Sequence, residues 1–300
     1  YTTQPHDGFR LARVRNAAAR LATGRYLLFL DGDCVVPNHH VAAHVGRRRH
    51  GTALLGYCAR LPAEANHLLV PENLAATNLA GLVPALERRS LARRRRKAWW
   101  HASMRHPTKP RLAGGDFGVW RDDFERVNGF DERFVGWGQE DDDLGLRLRA
   151  AGVRLETILG VTHSLHVWHE TDATATLRWR DGVNIRYFER RGRLTACRQG
   201  LVARPAAAIT WGLPDDLMTT PLGRSVAMHL AGATIAGPGA PCEIDVVIRP
   251  GTARFTREAE CRLGLMASGH RQQRGLGQDA DVTVTVSADA DIAAALAAAG

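Results

Sequence analysis

Apolar residues at Leu11, Val14 and Ala18 recur at the spacing of one helix face, and Gly24 is placed to end that helix. The next run, Tyr26-Leu27-Leu28-Phe29-Leu30, is apolar without interruption and lies between Gly24 and acidic residues. Such a run predicts a strand buried on both faces, as in a parallel α/β sheet. Residues 37–49 read as a helix, 52–57 as a second strand, and 61–85 as helix and loop. Residues 111–120 are strand-like around Gly114-Gly115-Asp116, where glycines mark either a bulge or the close approach of a ligand. Leu144, Leu148 and Ala151 stand at i, i+4 and i+7 and predict a short helix ended by Gly152. A strand over 153–159 follows, then an Arg-rich helical stretch over 171–201 that closes at Gly200.

The pattern changes beyond about Pro205, where Ala, Gly and Pro dominate. Gly237-Pro238-Gly239 reads as a linker. The tail holds the strand-like Ile244-Asp245-Val246-Val247-Ile248, the alternating Val282-Thr283-Val284-Thr285-Val286 and an Ala-rich helix from Asp291. The organisation expected is an α/β domain over 1–200, a linker over 201–239 and a small α+β module of unknown role over 240–300.

Composition adds three constraints. The 300 residues carry 40 Lys+Arg against 31 Asp+Glu, a formal net charge of +9. That balance favours acidic partners such as nucleotide phosphates, nucleic acid or an anionic membrane, and a bias of the genome towards Arg accounts for it equally well. Five scattered cysteines without a C-x-x-C pair imply neither a disulfide framework nor a zinc site and fit a reducing compartment. No apolar run is long enough to span a bilayer. A cytoplasmic or membrane-peripheral location is expected.

Four stretches carry candidate chemistry. Gly136-Trp137-Gly138-Gln139-Glu140-Asp141-Asp142-Asp143 sets an aromatic between two glycines and then four acids in a row. A helix N-terminus favours one or two acids; four exceed what capping needs, and the glycines can bring Trp137 over a ligand. Asp142 and Asp143 lie deeper, where pairing with arginines such as Arg147 is expected, while Glu140 and Asp141 sit at the mouth. Asp31-Gly32-Asp33 follows the apolar strand, at the carboxyl end where α/β sheets bind ligands, and two carboxylates there can hold a cation that bridges a diphosphate. His163, His166 and His169 fall within seven residues; His166 and His169 would point apart on a strand and converge on a helix or tight bend. The run Arg93 to Lys97 with Trp99, Trp100 and His101 reads first as a solvated helix face with both tryptophans tucked in, and otherwise as a grip on nucleic acid or membrane.

These motifs share one order with Arg13-Val14-Arg15-Asn16, Arg121 and Asn128-Gly129-Phe130-Asp131-Glu132. Together they resemble the family 2 glycosyltransferases of the GT-A fold. The nearer branch has a galactosyltransferase-type C-terminal region and includes chondroitin-polymerase-like and β-1,4-galactosyltransferase-like enzymes. The resemblance spans residues 1–200 and implies a Rossmann-like GT-A sheet flanked by helices. It further implies transfer of a sugar from a nucleotide-diphosphate donor, such as a UDP-sugar, to a hydroxyl of a carbohydrate or glycoconjugate acceptor, with inversion and with Mn²⁺ or Mg²⁺. On that resemblance Asp33, His169 and His166 hold the metal, and Asp31 lies nearer the nucleotide. Trp137 covers the sugar, and Gly136, Gly138, Gly114, Gly115 and Asp116 are substrate-binding. Glu140 contacts sugar hydroxyls, Asp141 is the base, and Arg13 and Asn16 support the donor pocket. The family's opening strand and the acidic pair that reads uracil and ribose do not occur in the sequence. It is therefore expected to hold the later part of a donor site and to bind UDP-sugars weakly or not at all by itself. The alternatives are a non-catalytic remnant of such an enzyme and a basic nucleic-acid-binding protein; the acidic loop, which would repel phosphate, speaks against the second.

Overall fold

The computed structural model describes residues 2–5, 7–74, 77–170, 182–190, 192–248, 255, 257–267 and 280–299. The chain divides into two compact units, Tyr1–Phe188 and Glu189–Gly300.

The first unit opens with helix α1 (Leu11–Leu21), which buries Ala12, Arg15, Asn16 and Ala19. Strand β1 (Tyr26–Leu30) runs into the Asp31-Gly32-Asp33 turn and the short strand β2 (Cys34–Val35). Helix α2 (His40–Arg47), β3 (Thr52–Leu55) and β4 (Cys58–Arg60) follow. Two single-turn helices, α3 (Pro71–Leu74) and α4 (Leu79–Leu82), lead to the long α5 (Ala85–Ser103). Then come β5 (Asp116–Trp120), α6 (Arg121–Arg126), α7 (Glu140–Ala150), β6 (Arg154–Thr157), β7 (Ser164–His166) and α8 (Val183–Phe188). The main sheet has the order β1-β5-β3-β6, and a second sheet has the order β2-β7-β4.

Two features of this sheet differ from the sequence expectation. β1 is an edge strand, only partly covered, and pairs antiparallel with β5 from Tyr26–Trp120 to Leu30–Asp116. An apolar run reports burial and is blind to strand direction. β5 also pairs antiparallel with β3, while β3 and β6 are parallel. Much of what covers β1 is aromatic: Phe29 stacks on Phe117 at 4.6 Å and abuts Phe124 and Phe130. The β1–β5 pairing continues past both strands, with the Asp31 amide donating to the Gly115 carbonyl. This bond sets the D-x-D turn beside the Gly114-Gly115 stretch.

The second unit is a five-stranded sheet, β12-β11-β10-β8-β9, whose strand pairs are all parallel among the described residues. It comprises β8 (Thr210–Gly212), α9 (Pro221–His229), β9 (Thr234–Ile235), β10 (Cys242–Ile248), β11 (Ala259–Ala267), β12 (Val282–Val286) and α10 (Asp289–Ala298). Residues 201–239, expected as a linker, fold inside this unit: Trp211 pairs with Ile244 across β8 and β10 and is fully buried. Gly and Pro in this stretch punctuate short elements. Of the helix expected over 171–201, only Val183–Phe188 is seen, and residues 171–181 and 191 lie outside the described residues. Among the described residues no helix is long and apolar enough to cross a membrane.

Candidate active site

Helix α7 begins where the sequence places it. Gly136 and Gly138 have φ of 87° and 90°, and Gln139 at the N-cap has φ of 76°. The glycines supply a left-handed backbone that a side chain would resist. The loop is fastened from two sides. Asn184 of α8 donates to the Trp137 and Gly138 carbonyls, and Trp137 stacks on Phe9 at 4.4 Å and 11°.

The four acids divide by depth. Asp143 is fully buried and bound by Arg147 at 2.7 Å, the pairing the spacing predicts. Asp142 meets Arg111 at 3.1 Å. Glu140 is buried, with Oε2 lacking a hydrogen-bond partner among the described residues. Burial, with Asp141 as the nearest like charge, pushes its pKa up to about 7. Asp141 keeps 28% of its side chain exposed, accepts from the Gly114 amide at 2.9 Å and meets Arg15 at 2.7 Å. Desolvation raises its pKa against the pull of Arg15 and that amide.

Arg15 is the residue the sequence reading missed. Its guanidinium holds Asp141 through Nη1 and Asp31 through Nη2 at 2.8 Å, with Glu140 3.8 Å away. Burial opposes its charge, and Asp141 and Asp31 outweigh that, raising its pKa. The expected Arg13 is exposed on the outer side of α1 and takes no part. Two residues along a helix turn a side chain by about 200°, so choosing between Arg13 and Arg15 requires the helix phase. Asn16 is buried but holds a loop: it donates to the Phe130 carbonyl and Glu132 and accepts from the Phe130 amide.

The glycines earn their place by contact. A Cβ at Gly114 would lie 2.2 Å from Asp141 Oδ1 and 2.4 Å from Arg15 Nη1; at Gly115 it would lie 2.8 Å from Cys58 Sγ and 2.9 Å from Asp31 Oδ2. The neighbouring Asp116, expected to bind substrate, turns away instead. Its carboxylate is fully buried beside His40 and His44 of α2.

His166 ends β7 and His169 lies three residues on, beyond the strand, so the two rings converge with centroids 5.0 Å apart. Both Nε2 atoms stand 3.3 Å from Asp33 Oδ2. Two imidazoles and a carboxylate, all open to solvent, fit a borderline divalent ion such as Mn²⁺ better than an oxygen-only ion such as Ca²⁺. His163 lies apart, half-buried, and burial lowers its pKa. Cys34 and Cys58, free thiols, approach to 3.4 Å between their sulfurs under this turn.

Beside α7 opens a cleft of about 480 Å³ lined by Tyr57, Arg94, Lys97, Lys109, Arg111 and Asp142, among others. The basic face of α5 borders it. Trp99 and Trp100 are not tucked in as expected but 68% and 55% exposed.

Residues 1–68 match the family described as Glycosyl transferase family 2, and residues 97–170 match the N-terminal domain of galactosyltransferase. Both stretches thus match families of glycosyltransferases. The mixed α/β sheet of the first unit is consistent with the GT-A-like fold that the resemblance implies. Validoxylamine A glucosyltransferase from Streptomyces hygroscopicus subsp. jinggangensis (strain 5008) is 34% identical over 177 residues, covering 51% of this chain and 38% of that protein. Polypeptide N-acetylgalactosaminyltransferase 5 of Caenorhabditis elegans is 27% identical over 189 residues, 61% of this chain and 28% of that one. Human beta-1,4-galactosyltransferase 3 is 39% identical over 46 residues, 15% of this chain and 12% of that one. The chain spans about two-fifths or less of the length of these relatives. A crystal structure of GalNAc-T7 with UDP, GalNAc and Mn2+ superposes with a TM-score of 0.36 at 15% identity, covering 60% of this chain and 33% of that one. That likeness is too weak to bear on the fold.

Proposed function

We propose that this glycosyltransferase moves a sugar from a nucleotide-diphosphate donor, a UDP-sugar, to an acceptor hydroxyl with inversion, in a metal-dependent reaction. The observation that carries the reading is Arg15, which ties Asp31 of the D-x-D turn to Asp141 of the acidic helix in one charge network. A diphosphate site and a base are thereby held against each other by a buried cation.

In this reading Asp33, His166 and His169 hold the divalent ion, which supplies neutralisation of the departing diphosphate. Asp141, the more exposed of the two mouth carboxylates, takes the proton from the acceptor hydroxyl as its oxygen attacks the anomeric carbon and the bond to the diphosphate breaks. Arg15 beside Asp141 favours its ionised form against the burial that raises its pKa. Glu140 lies under Asp141, where a carboxyl titrating near 7 can donate to a sugar oxygen or accept from a hydroxyl. Trp137 forms an apolar wall next to these acids. The acceptor approaches along the cleft beside α7, which reaches Asp141's neighbour Asp142. The names of the relatives span glucosyl, galactosyl and N-acetylgalactosaminyl transfer, so the donor sugar is left open.

Calorimetry with UDP tests the donor side. Weak binding that requires Mn²⁺ and disappears in Asp33→Asn is expected; binding indifferent to the ion and to that substitution refutes the reading. Release of UDP from UDP-glucose, UDP-galactose and UDP-N-acetylgalactosamine, with and without sugar acceptors, tests transfer.

A further inference from the structure

We propose that His40, His44 and Asp116 form a second divalent-metal site, buried and of zinc type, that pins helix α2 to the start of strand β5. The reading is independent of the donor-side ion above and involves none of its ligands.

Three observations carry it. First, the donor atoms are gathered and left without other hydrogen bonds. His40 Nε2 and His44 Nε2 stand 3.3 and 3.4 Å from Asp116 Oδ1, and the three atoms lie within 4.8 Å of one another. All three side chains are at most 1% exposed, and apart from these long His–Asp approaches the three atoms have no hydrogen-bond partner among the described residues. Buried polar atoms of native proteins are ordinarily paired, so three orphans facing one point call for a missing occupant. Second, the separations suit ligands of one ion. Zinc bonds of about 2.0–2.1 Å at tetrahedral angles set neighbouring ligand atoms about 3.3–3.4 Å apart.

Third, outer partners aim two of the three ligands, His40 and Asp116; His44 Nδ1 has none among the described residues. His40 Nδ1 hydrogen-bonds Thr162 Oγ1 at 2.8 Å, which turns Nε2 towards Asp116. The Ser164 amide donates to Asp116 Oδ2 at 3.2 Å and leaves Oδ1 for the histidines. Orienting bonds on the far side of a ligating imidazole or carboxylate are the usual company of a metal site. His40 and His44 stand at i and i+4, one face of α2. Opposite them, a Cβ at Gly56 would lie 2.3 Å from the Asp116 carboxylate, so the backbone is packed against it. Three protein ligands leave a fourth position for a small ligand such as water.

The test uses the full chain carrying Asp33→Asn and His169→Gln, which disables the exposed cluster. After treatment with a chelator the folded protein is given Zn²⁺, and bound metal is counted by mass spectrometry; Co²⁺ uptake is followed by visible absorption. One Zn²⁺ per chain is expected, with cobalt bands of a four-coordinate N/O site. Adding His44→Gln should abolish both with circular dichroism unchanged. No uptake by the folded double variant, or uptake that survives His44→Gln, overturns the proposal. If His44→Gln does not fold, Thr162→Val in the same background decides: zinc affinity should fall about 10- to 100-fold, and an unchanged affinity counts against the site.

Discussion

Asp33 with His166 and His169, and Asp116 with His40 and His44, are two clusters with the same donors and nearly the same spacing: 3.3 and 3.3 Å in one, 3.3 and 3.4 Å in the other. They differ in access to water. Asp33 and His169 are 42% and 54% exposed, whereas His40, His44 and Asp116 are at most 1% exposed. The ligand set alone therefore does not say what a site is for. Under the readings proposed here, an ion at the open cluster can exchange ligands with a diphosphate, and an ion at the closed one can only hold two elements together. The chain places the clusters differently as well. The open one joins the end of β1 to the loop after β7, at the sheet's carboxyl edge; the closed one joins a helix to a central strand.

The sharpest way to break this contrast is to disable the open cluster. Asp33→Asn with His169→Gln should cut transfer about 10³-fold, since charge stabilisation of several kcal/mol is removed, and leave the melting temperature nearly unchanged. A large loss of thermal stability would mean that the open cluster is structural too. Asp141→Asn should cost transfer about 10²–10⁴-fold while Mn²⁺-dependent UDP binding persists; equal transfer rates for variant and parent remove Asp141 as the base. His44→Gln should show the reverse pattern, a stability loss of about 2–3 kcal/mol by urea denaturation with UDP affinity retained.

The smallest effect concerns Glu140. Its folded pKa is about 7 against an ordinary 4.5, so the fold favours the neutral carboxyl. The stabilisation that the proton provides is complete below pH 4.5 and is lost as pH rises through 7. Glu140→Gln should then be neutral in stability near pH 4 and stabilising by about 1–3 kcal/mol at pH 8. Equal melting curves for variant and parent at pH 8 would show that Glu140 is solvated and plays no part in the buried network.

Much of the open site was legible in the sequence because its signals are local. The D-x-D turn ends an apolar run, the acids stand at a helix start, Asp143 and Arg147 are four residues apart, and the three-residue gap from His166 to His169 needs only a strand end to bring the rings together. What escaped depends on long-range packing. Arg15 meets Asp141 across 126 residues of chain, and no spacing along α1 singles it out over Arg13. Asp116 continues the Gly114-Gly115 stretch, which suggests a shared pocket, but alternation along β5 sends its side chain to α2. His40 and His44 did carry a signal, two histidines at i and i+4 of an expected helix, yet it lacks meaning until Asp116 arrives from 72 positions away. The parallel order of the second unit's sheet, with β8 drawn from an apparent linker, was equally beyond a local reading.

The stack of Trp137 on Phe9 has a kinetic side. An aromatic pair contributes about 0.5–1.5 kcal/mol beyond its buried area, and the Gly136 amide adds one hydrogen bond to the Phe9 carbonyl at 2.8 Å, worth about 1 kcal/mol. On the other side the Asn184 amide holds the Trp137 and Gly138 carbonyls. Moving the tryptophan means breaking all four contacts together, so the loop is a latched wall that undoing the Phe9 side alone does not open.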